Sequence, residues 1–294
     1  MTDISAKLVK ELRILTGAGM MDCKKALSES GGEFEEAIDW LRTKGLATAA
    51  KKSDRDANEG LVCVKVNNNL GTIIEVNSET DFVARNDQFQ AFVSTIADEA
   101  LYEEVSLDNL LSKPYPDSEI TISEKLNELV STIGENLSIK RVKSISVKNG
   151  KICSYIHNVV APNLGRIGVL VGIEAEKVDE EIDNISKQIA MHIAATSPLS
   201  ISKDDLSEDI INKEKDVYKN QAIESGKPEN IINKMVEGRL RKFFEEVCLY
   251  DQVFVIDNET KISDLLLNFS KEFNNKVSIS SFVRFQLGEK ILKQ

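Results

Sequence analysis

Apolar residues recur at helical spacing three times near the start of the chain. Ile4, Leu8, Leu12 and Leu15 make one stripe, which Thr16-Gly17 stops. The run "MMDCKKALSES" follows the turn Gly17-Ala18-Gly19 and ends at Gly31-Gly32. Phe34, Ala37, Ile38 and Leu41 make a third stripe, closed by Gly45. This pattern predicts a three-helix unit of about 45 residues, small enough to be marginal alone. "AAKKSDRDANEG", Ala49 to Gly60, is charged and poor in large apolar groups, and reads as a linker.

The period then changes. "LVCVKV" and "TIIEV" flank Asn67-Asn68-Asn69-Leu70-Gly71, residues that tolerate the positive φ of tight turns, and predict a hairpin. "DQFQAFVSTIADEAL" is an amphipathic helix with Phe89, Phe92, Val93 and Ile96 on one side. Leu101 to Glu119, with Pro114 and Pro116, reads as irregular, and a helix around Leu126, Leu129, Val130 and Ile133 follows. "KRVKSISV" is a strand, Asn149-Gly150 a hairpin turn and "KICSYIHN" the returning strand. "GRIGVLVGIEA" is another strand, before a helix from about Val178 to Ala195. "NLGTIIEV" from Asn69 and "NLGRIGVL" from Asn163 share Asn-Leu-Gly ahead of a strand that leads to a helix. The match suggests two related α+β halves.

From Asp204 to Phe244 the apolar residues fall in doublets: Ile210/Ile211, Val217/Tyr218, Ala222/Ile223, Ile231/Ile232, Met235/Val236 and Phe243/Phe244. Ser225-Gly226-Lys227-Pro228 breaks the run, and Pro228 suits the first turn of a second helix. A narrow seam with charged outer faces describes two antiparallel helices zipped together and projecting, with two surface helices of the main body as the alternative. In the tail, "VCLYDQVFVI" is strand-like, "ISDLLLNFSKEF" helical and "KVSISSFVRFQLGE" a final strand.

With 294 residues the chain is long enough for roughly two domains of about 150 residues each. Its 41 % hydrophobic and 29 % charged content is that of a globular protein with a sizeable core. The net charge of −11 lacks the basic footprint of a nucleic-acid or anionic-membrane binder. The start has no apolar run of signal-peptide length, and no stretch approaches the ~18 apolar residues of a span, so a cytoplasmic protein is expected. Cys23, Cys63, Cys153 and Cys248 are scattered without a C-x-x-C, as reduced cytosolic thiols would be.

No phosphate-cradling G-x-x-x-x-G-K-[ST], strand-to-helix G-x-G-x-x-G, H-E-x-x-H or G-x-S-x-G is present. Two histidines exclude a multi-histidine metal site within one chain, and neither a cofactor nor a metal is expected. His192 reads as a packed helix residue. Asp81 with His157 is a conceivable acid/base pair for a hydrolase, but the sequence supplies no nucleophile beside it. Two places invite a partner. Met20 and Met21 follow a glycine turn, either as core filling or as an adaptable docking surface. Phe82 stands where a strand ends, either as core or as a probe. Asp81 beside it argues against core, which rarely wants an unpaired carboxylate at its edge.

"TGAGMMDCKKAL" and "TDFVARND" resemble the two signature stretches of bacterial elongation factor Ts, the guanine-nucleotide exchange factor of the translational GTPase elongation factor Tu. "IGENLSIKR", "AMHIAA", "SGKPENIINKMVEGRLRKFFEEV" and "FVRFQLGE" occur in the family's order, so the resemblance covers essentially the whole chain. It implies an α+β protein that is not an enzyme: an N-terminal three-helix domain like the ubiquitin-associated fold, a core of two related α+β halves and a protruding antiparallel coiled-coil hairpin. The corresponding division is 1–48 for the helical domain, 49–60 for the linker and 61–142 for the first half. The second half takes 143–203 and 245–294, and the hairpin 204–244.

Carried over residue by residue, Arg13, Met20, Met21 and Lys24 match contacts to the partner's nucleotide-binding domain. Asp81 and Phe82 match the pair that enters near the partner's magnesium and displaces that ion, and Thr80 and Val83 beside them are expected to belong to the same partner-binding surface. Ile133, Gly134 and His157 match further contacts. The implied partner is elongation factor Tu, GDP-bound or nucleotide-free, with no nucleic acid or membrane. The hairpin can also carry self-association into a homodimer or a 2:2 complex. The alternatives are a scaffold or chaperone-like binder of elongation factor Tu and, more remotely, the Asp81/His157 hydrolase. Val253 stands where the family often has proline, "NVVAPN" after His157 is longer than in some relatives, and the extra terminal helix of some members is not expected.

Overall fold

A computed structural model describes residues 4–101, 106–224 and 228–290. Three helices open it: α1 (Ala6–Thr16), α2 (Met20–Glu29) and α3 (Phe34–Lys52). The Ser5 hydroxyl caps α1 by accepting the Leu8 N–H at 3.2 Å, and Gly17 ends it at φ +68°. Val9, Leu12, Cys23, Ala26, Leu27 and Ala37 form their common core. The third helix does not stop at Gly45. It continues through an alanine-rich stretch to Lys52, because Gly45 lies against Ser131 of a later helix, where a small residue lets the backbones approach. The expected linker is therefore helical up to Lys52 and already strand from Glu59.

The remaining elements repeat one plan. In the first half, β1 (Glu59–Asn67) and β2 (Leu70–Ser78) form a hairpin around Asn68, at φ +53°. Helices α4 (Asp87–Glu99), α5 (Leu107–Ser112) and α6 (Ile122–Ile133) follow, and β3 (Leu137–Ser146) returns beside β2. In the second half, β4 (Gly150–Ala161) and β5 (Leu164–Ala175) form the hairpin, α7 (Glu180–Thr196) follows, and β6 (Val277–Gln286) returns beside β5 after α10 (Ile262–Glu272). The segment expected to be irregular thus holds α5, capped by the Ser106 hydroxyl.

Asn149-Gly150 is not a hairpin turn. It carries the chain from β3, at one edge of the sheet, to β4, at the other, and Gly150 pairs with Glu174 of β5. The halves join where Val62 and Cys63 of β1 meet Gly165 and Leu164 of β5. One face of the first half packs Leu61, Cys63, Ile74 and Val76 against Phe89, Phe92, Val93 and Ile96 of α4. One face of the second packs Val169, Val171 and Ile173 under α7 and α10. The inner faces share Val62, Val64, Ile73, Ile152, Leu170 and Phe285. Gly168 sits at this seam, where a Cβ would come within 2.7 Å of Val62.

Helices α8 (Glu208–Ile223) and α9 (Glu229–Val247) interrupt the second half. They run antiparallel, with Arg239 bonded to Gln221 and stacked over Tyr218. Within three doublets one member turns inward: Ala222, Ile232 and Val236 are buried, while Ile223 and Ile231 are exposed and Met235 is half-buried. The Ser225-Gly226-Lys227 break lies outside the described residues, and Pro228 stands just before α9 as its N-cap. The strand-like "VCLYDQVFVI" is the end of α9 and a short 3-10 turn, Leu249–Asp251. Its N–H groups go to scattered carbonyls, such as Leu249 to Ser200 and Phe254 to Thr260, instead of to a ladder. No described helix is long and apolar enough to cross a membrane.

Candidate functional site

β2 ends at Ser78, and α4 begins only after Asn86, whose side chain caps it by accepting the Phe89 N–H at 3.1 Å. Between them the chain makes a tight corner. Val83 is 4 % exposed and belongs to the core of the first half. It was expected to face a partner, but it is the apolar anchor that roots the corner. Phe82, its neighbour, points the other way and is 78 % exposed. Asp81 is also exposed and makes no hydrogen bond or ion pair with the described residues. An aromatic ring left in water beside an unpaired carboxylate adds nothing to the core.

The backbone beneath these side chains is held firmly. Thr80 gives its N–H to Glu135 Oε2 at 2.9 Å and its hydroxyl to Glu135 Oε1 at 2.6 Å. The Ser78 hydroxyl donates to the Thr80 carbonyl at 2.9 Å. Glu79 accepts the Asn136 N–H at 2.6 Å and faces Arg55 at 3.3 Å. The Asn136 bond, followed by Arg55, holds the Glu79 carboxyl below its usual range. Ile133 and Gly134 therefore lie next to the corner. Ile133 is half-buried, Gly134 is exposed at φ +88°, and the Lys52 ammonium bonds the Gly134 carbonyl. Glu79, Glu135 and Asn136 escaped the sequence reading. Their signal was a carboxylate and an amide directly after a helix-ending glycine.

Met20 and Met21 lie outside the helical core, 49 % and 74 % exposed in the first turn of α2. With Arg13 and Lys24, both exposed, and with Ile4, Val9 and Ile14, they line a cleft of about 620 Å³ between α1 and α2. The apolar floor is rimmed by Lys10, Arg13 and Lys24 on a chain of net charge −11.

His157 stands apart. It is exposed on β4, across the strand order β2-β1-β5-β4 from the corner, and its Nδ1 lies 3.1 Å from the Tyr155 hydroxyl. No hydrogen bond joins it to Asp81. His192 is fully buried: its Nδ1 accepts the Val255 N–H at 3.3 Å, so its Nε2 donates to Gln252 Oε1 at 2.9 Å. Burial lowers its pKa, against the pull of the Gln252 bond, and a neutral packing role follows.

The elongation factor TS family model matches residues 79–289, from the corner to the loop after β6. The chain belongs to the elongation factor Ts family. An elongation factor Ts of Parvibaculum lavamentivorans is 50 % identical over 294 residues, all of this chain and 96 % of its own length. One from Rhodospirillum centenum is 52 % identical over 293 residues, covering 95 % of its own length. One from Zymomonas mobilis is 47 % identical over 294 residues and is likewise covered to 95 %. The family match takes in Asp81, Phe82, Ile133, Gly134 and His157, while the helical unit with Met20 and Met21 is covered by the whole-chain similarities.

Proposed function

We propose that this chain accelerates GDP release from elongation factor Tu, with Asp81 and Phe82 as the wedge. The carrying observation is the corner itself: an exposed ring and an unpaired carboxylate on a backbone fixed from both sides. A GTPase holds its nucleotide through a phosphate cradle and a magnesium ion. Phe82 inserts between two helices of the partner's nucleotide-binding domain, and Asp81 disturbs the ligands of the partner's magnesium by its charge. No bond is made or broken. The factor binds the empty GTPase more tightly than the filled one, so the nucleotide binds less tightly in return.

Loosening the nucleotide by three decades takes about 4 kcal/mol. Burying one phenylalanine supplies roughly 1.5–3 kcal/mol. The wedge therefore acts together with other contacts. The helical unit (1–48), behaving like a ubiquitin-associated domain, docks through Met20, Met21, Arg13 and Lys24. Ile133, Gly134 and the His157 edge extend the surface, and the hairpin (204–244), as a coiled coil, grips the partner or a second copy.

The test uses elongation factor Tu loaded with fluorescent GDP and chased with unlabelled GDP. Acceleration that rises with concentration and is lost in Asp81→Ala/Phe82→Ala supports exchange by this wedge. Binding without acceleration would leave a scaffold instead.

A further inference from the structure

We infer that Glu135 is a positioning residue for the exchange turn, acting through Thr80 to fix the outward pose of Asp81 and Phe82; this rests on the exchange reading above. Among the described residues no hydrogen bond, ion pair or ring contact holds either side chain of the pair, so backbone direction aims them. That direction is held on one side by buried Val83 and by the Arg85 N–H on the Phe82 carbonyl at 3.1 Å, and on the other at Thr80, where one carboxylate takes both the N–H at 2.9 Å and the hydroxyl at 2.6 Å. Two bonds from one ionised group fix distance and rotation together.

The arrangement is reciprocal. Glu79 Oε1 takes the Asn136 N–H at 2.6 Å, so each of the two crossing segments lends a carboxylate to the other's backbone. Asn136 then gives its side-chain amide to the Arg55 carbonyl at 2.7 Å and the Ser53 carbonyl at 3.4 Å. The segment leaving α3 is thereby strapped to the same corner. One node orients the wedge and the helical unit relative to each other.

The second half provides an internal control. Ser78 pairs with Leu137 in the first half, as Ala175 pairs with Val277 in the second. Counted from these pairs, Asn275 occupies the place of Glu135. Its Oδ1 accepts the N–H groups of Glu176 at 3.1 Å and Lys177 at 3.2 Å, and its Nδ2 donates to the Lys177 carbonyl at 2.8 Å. A neutral amide is enough to close that corner, which carries Val178 and Asp179 where the first carries Asp81 and Phe82. The charged, side-chain-reaching clamp appears only in the half that presents a wedge. Preorganisation of an inserting group is what such a clamp supplies.

The test is a double-mutant cycle of Glu135→Ala and Phe82→Ala, read as GDP release from elongation factor Tu. Thermal unfolding of each variant is recorded alongside. Glu135→Ala alone is expected to slow exchange about tenfold, and to add less than about twofold on top of Phe82→Ala, because the ring, the larger of the two groups it aims, is then gone. Equal slowing in both backgrounds overturns the inference. Normal exchange by Phe82→Ala overturns the wedge itself and is visible before the cycle is read. Glu135→Gln keeps one acceptor oxygen, preserves the fold if the alanine variant does not, and is expected to show the same coupling at smaller size.

Discussion

Phe82 and Phe89 lie one short corner apart and have opposite surroundings, 78 % and 0 % exposed. Truncating each to alanine should separate function from stability. Phe89 lies in the core with Phe92, Val93, Ile96 and Leu61. Phe89→Ala removes a full ring from that packing and should cost about 3–5 kcal/mol of stability. Phe82→Ala removes a ring already in water and should change stability by no more than about 0.5 kcal/mol. On the partner the order reverses. Phe82 supplies roughly 1.5–3 kcal/mol when buried, so its loss should slow GDP release about 10- to 150-fold at 1.4 kcal/mol per decade. Phe89→Ala should exchange normally per folded molecule. Urea unfolding followed by circular dichroism gives the first axis, and stopped-flow release of fluorescent GDP gives the second. A Phe82→Ala variant as unstable as Phe89→Ala would show that the ring is packed in solution. One that exchanges at the parent rate would remove the wedge.

Three further outcomes are expected. The neutral, buried His192 has a folded pKa below its unfolded value of about 6.5. The unfolded chain therefore takes up the proton first. His192 contributes fully above that pH, and stability should fall as pH drops below about 6.5, a slope that His192→Gln should flatten in urea titrations. Gly168→Ala places a Cβ 2.7 Å from Val62 and 2.9 Å from Ile73, and should lower stability by about 1–3 kcal/mol on thermal unfolding. Met21→Glu, at a position 74 % exposed, should leave the unfolding midpoint unchanged and weaken binding to elongation factor Tu in a fluorescence titration.

Local periodicity made most elements legible. The three opening helices and those over Phe89–Ile96 and Leu126–Ile133 are legible because each buries one apolar face, and the Asn-rich hairpin because turn residues separate two apolar strands buried on both faces. What failed were judgments that depend on partners distant in sequence. Gly45 looks like a helix end until α6 is laid against it. Asn149-Gly150 has hairpin chemistry, yet the strands it joins pair elsewhere, since β3 and β4 are claimed by β2 and β5. "VCLYDQVFVI" is strand-like in composition, but Cys248, Leu249, Gln252 and Phe254 are buried in an irregular turn, Leu249 and Phe254 of them against α7 and α10. At the site, the exposed ring was legible from the acid beside it. Val83 was not, because only the packed corner shows that one of two adjacent apolar residues turns inward.

The two halves differ at the corner that carries the proposed wedge. Both repeat a hairpin, a helix and a returning strand, and both close the corner after the hairpin with a residue two places before the returning strand. They differ in length at that corner. In the second half residues 176–178 suffice before Asp179 caps α7. In the first, residues 79–85 intervene before Asn86 caps α4. The added backbone is spent on a turn that buries Val83 and presents Asp81 and Phe82. Exposing such a pair gains nothing for a folded monomer, and leaving its backbone free would lower the population able to insert. A longer corner with a stronger clamp meets both requirements at once. The proposed exchange surface is thus a lengthened copy of an ordinary strand-to-helix connection, clamped by Glu135 where the shorter copy uses Asn275.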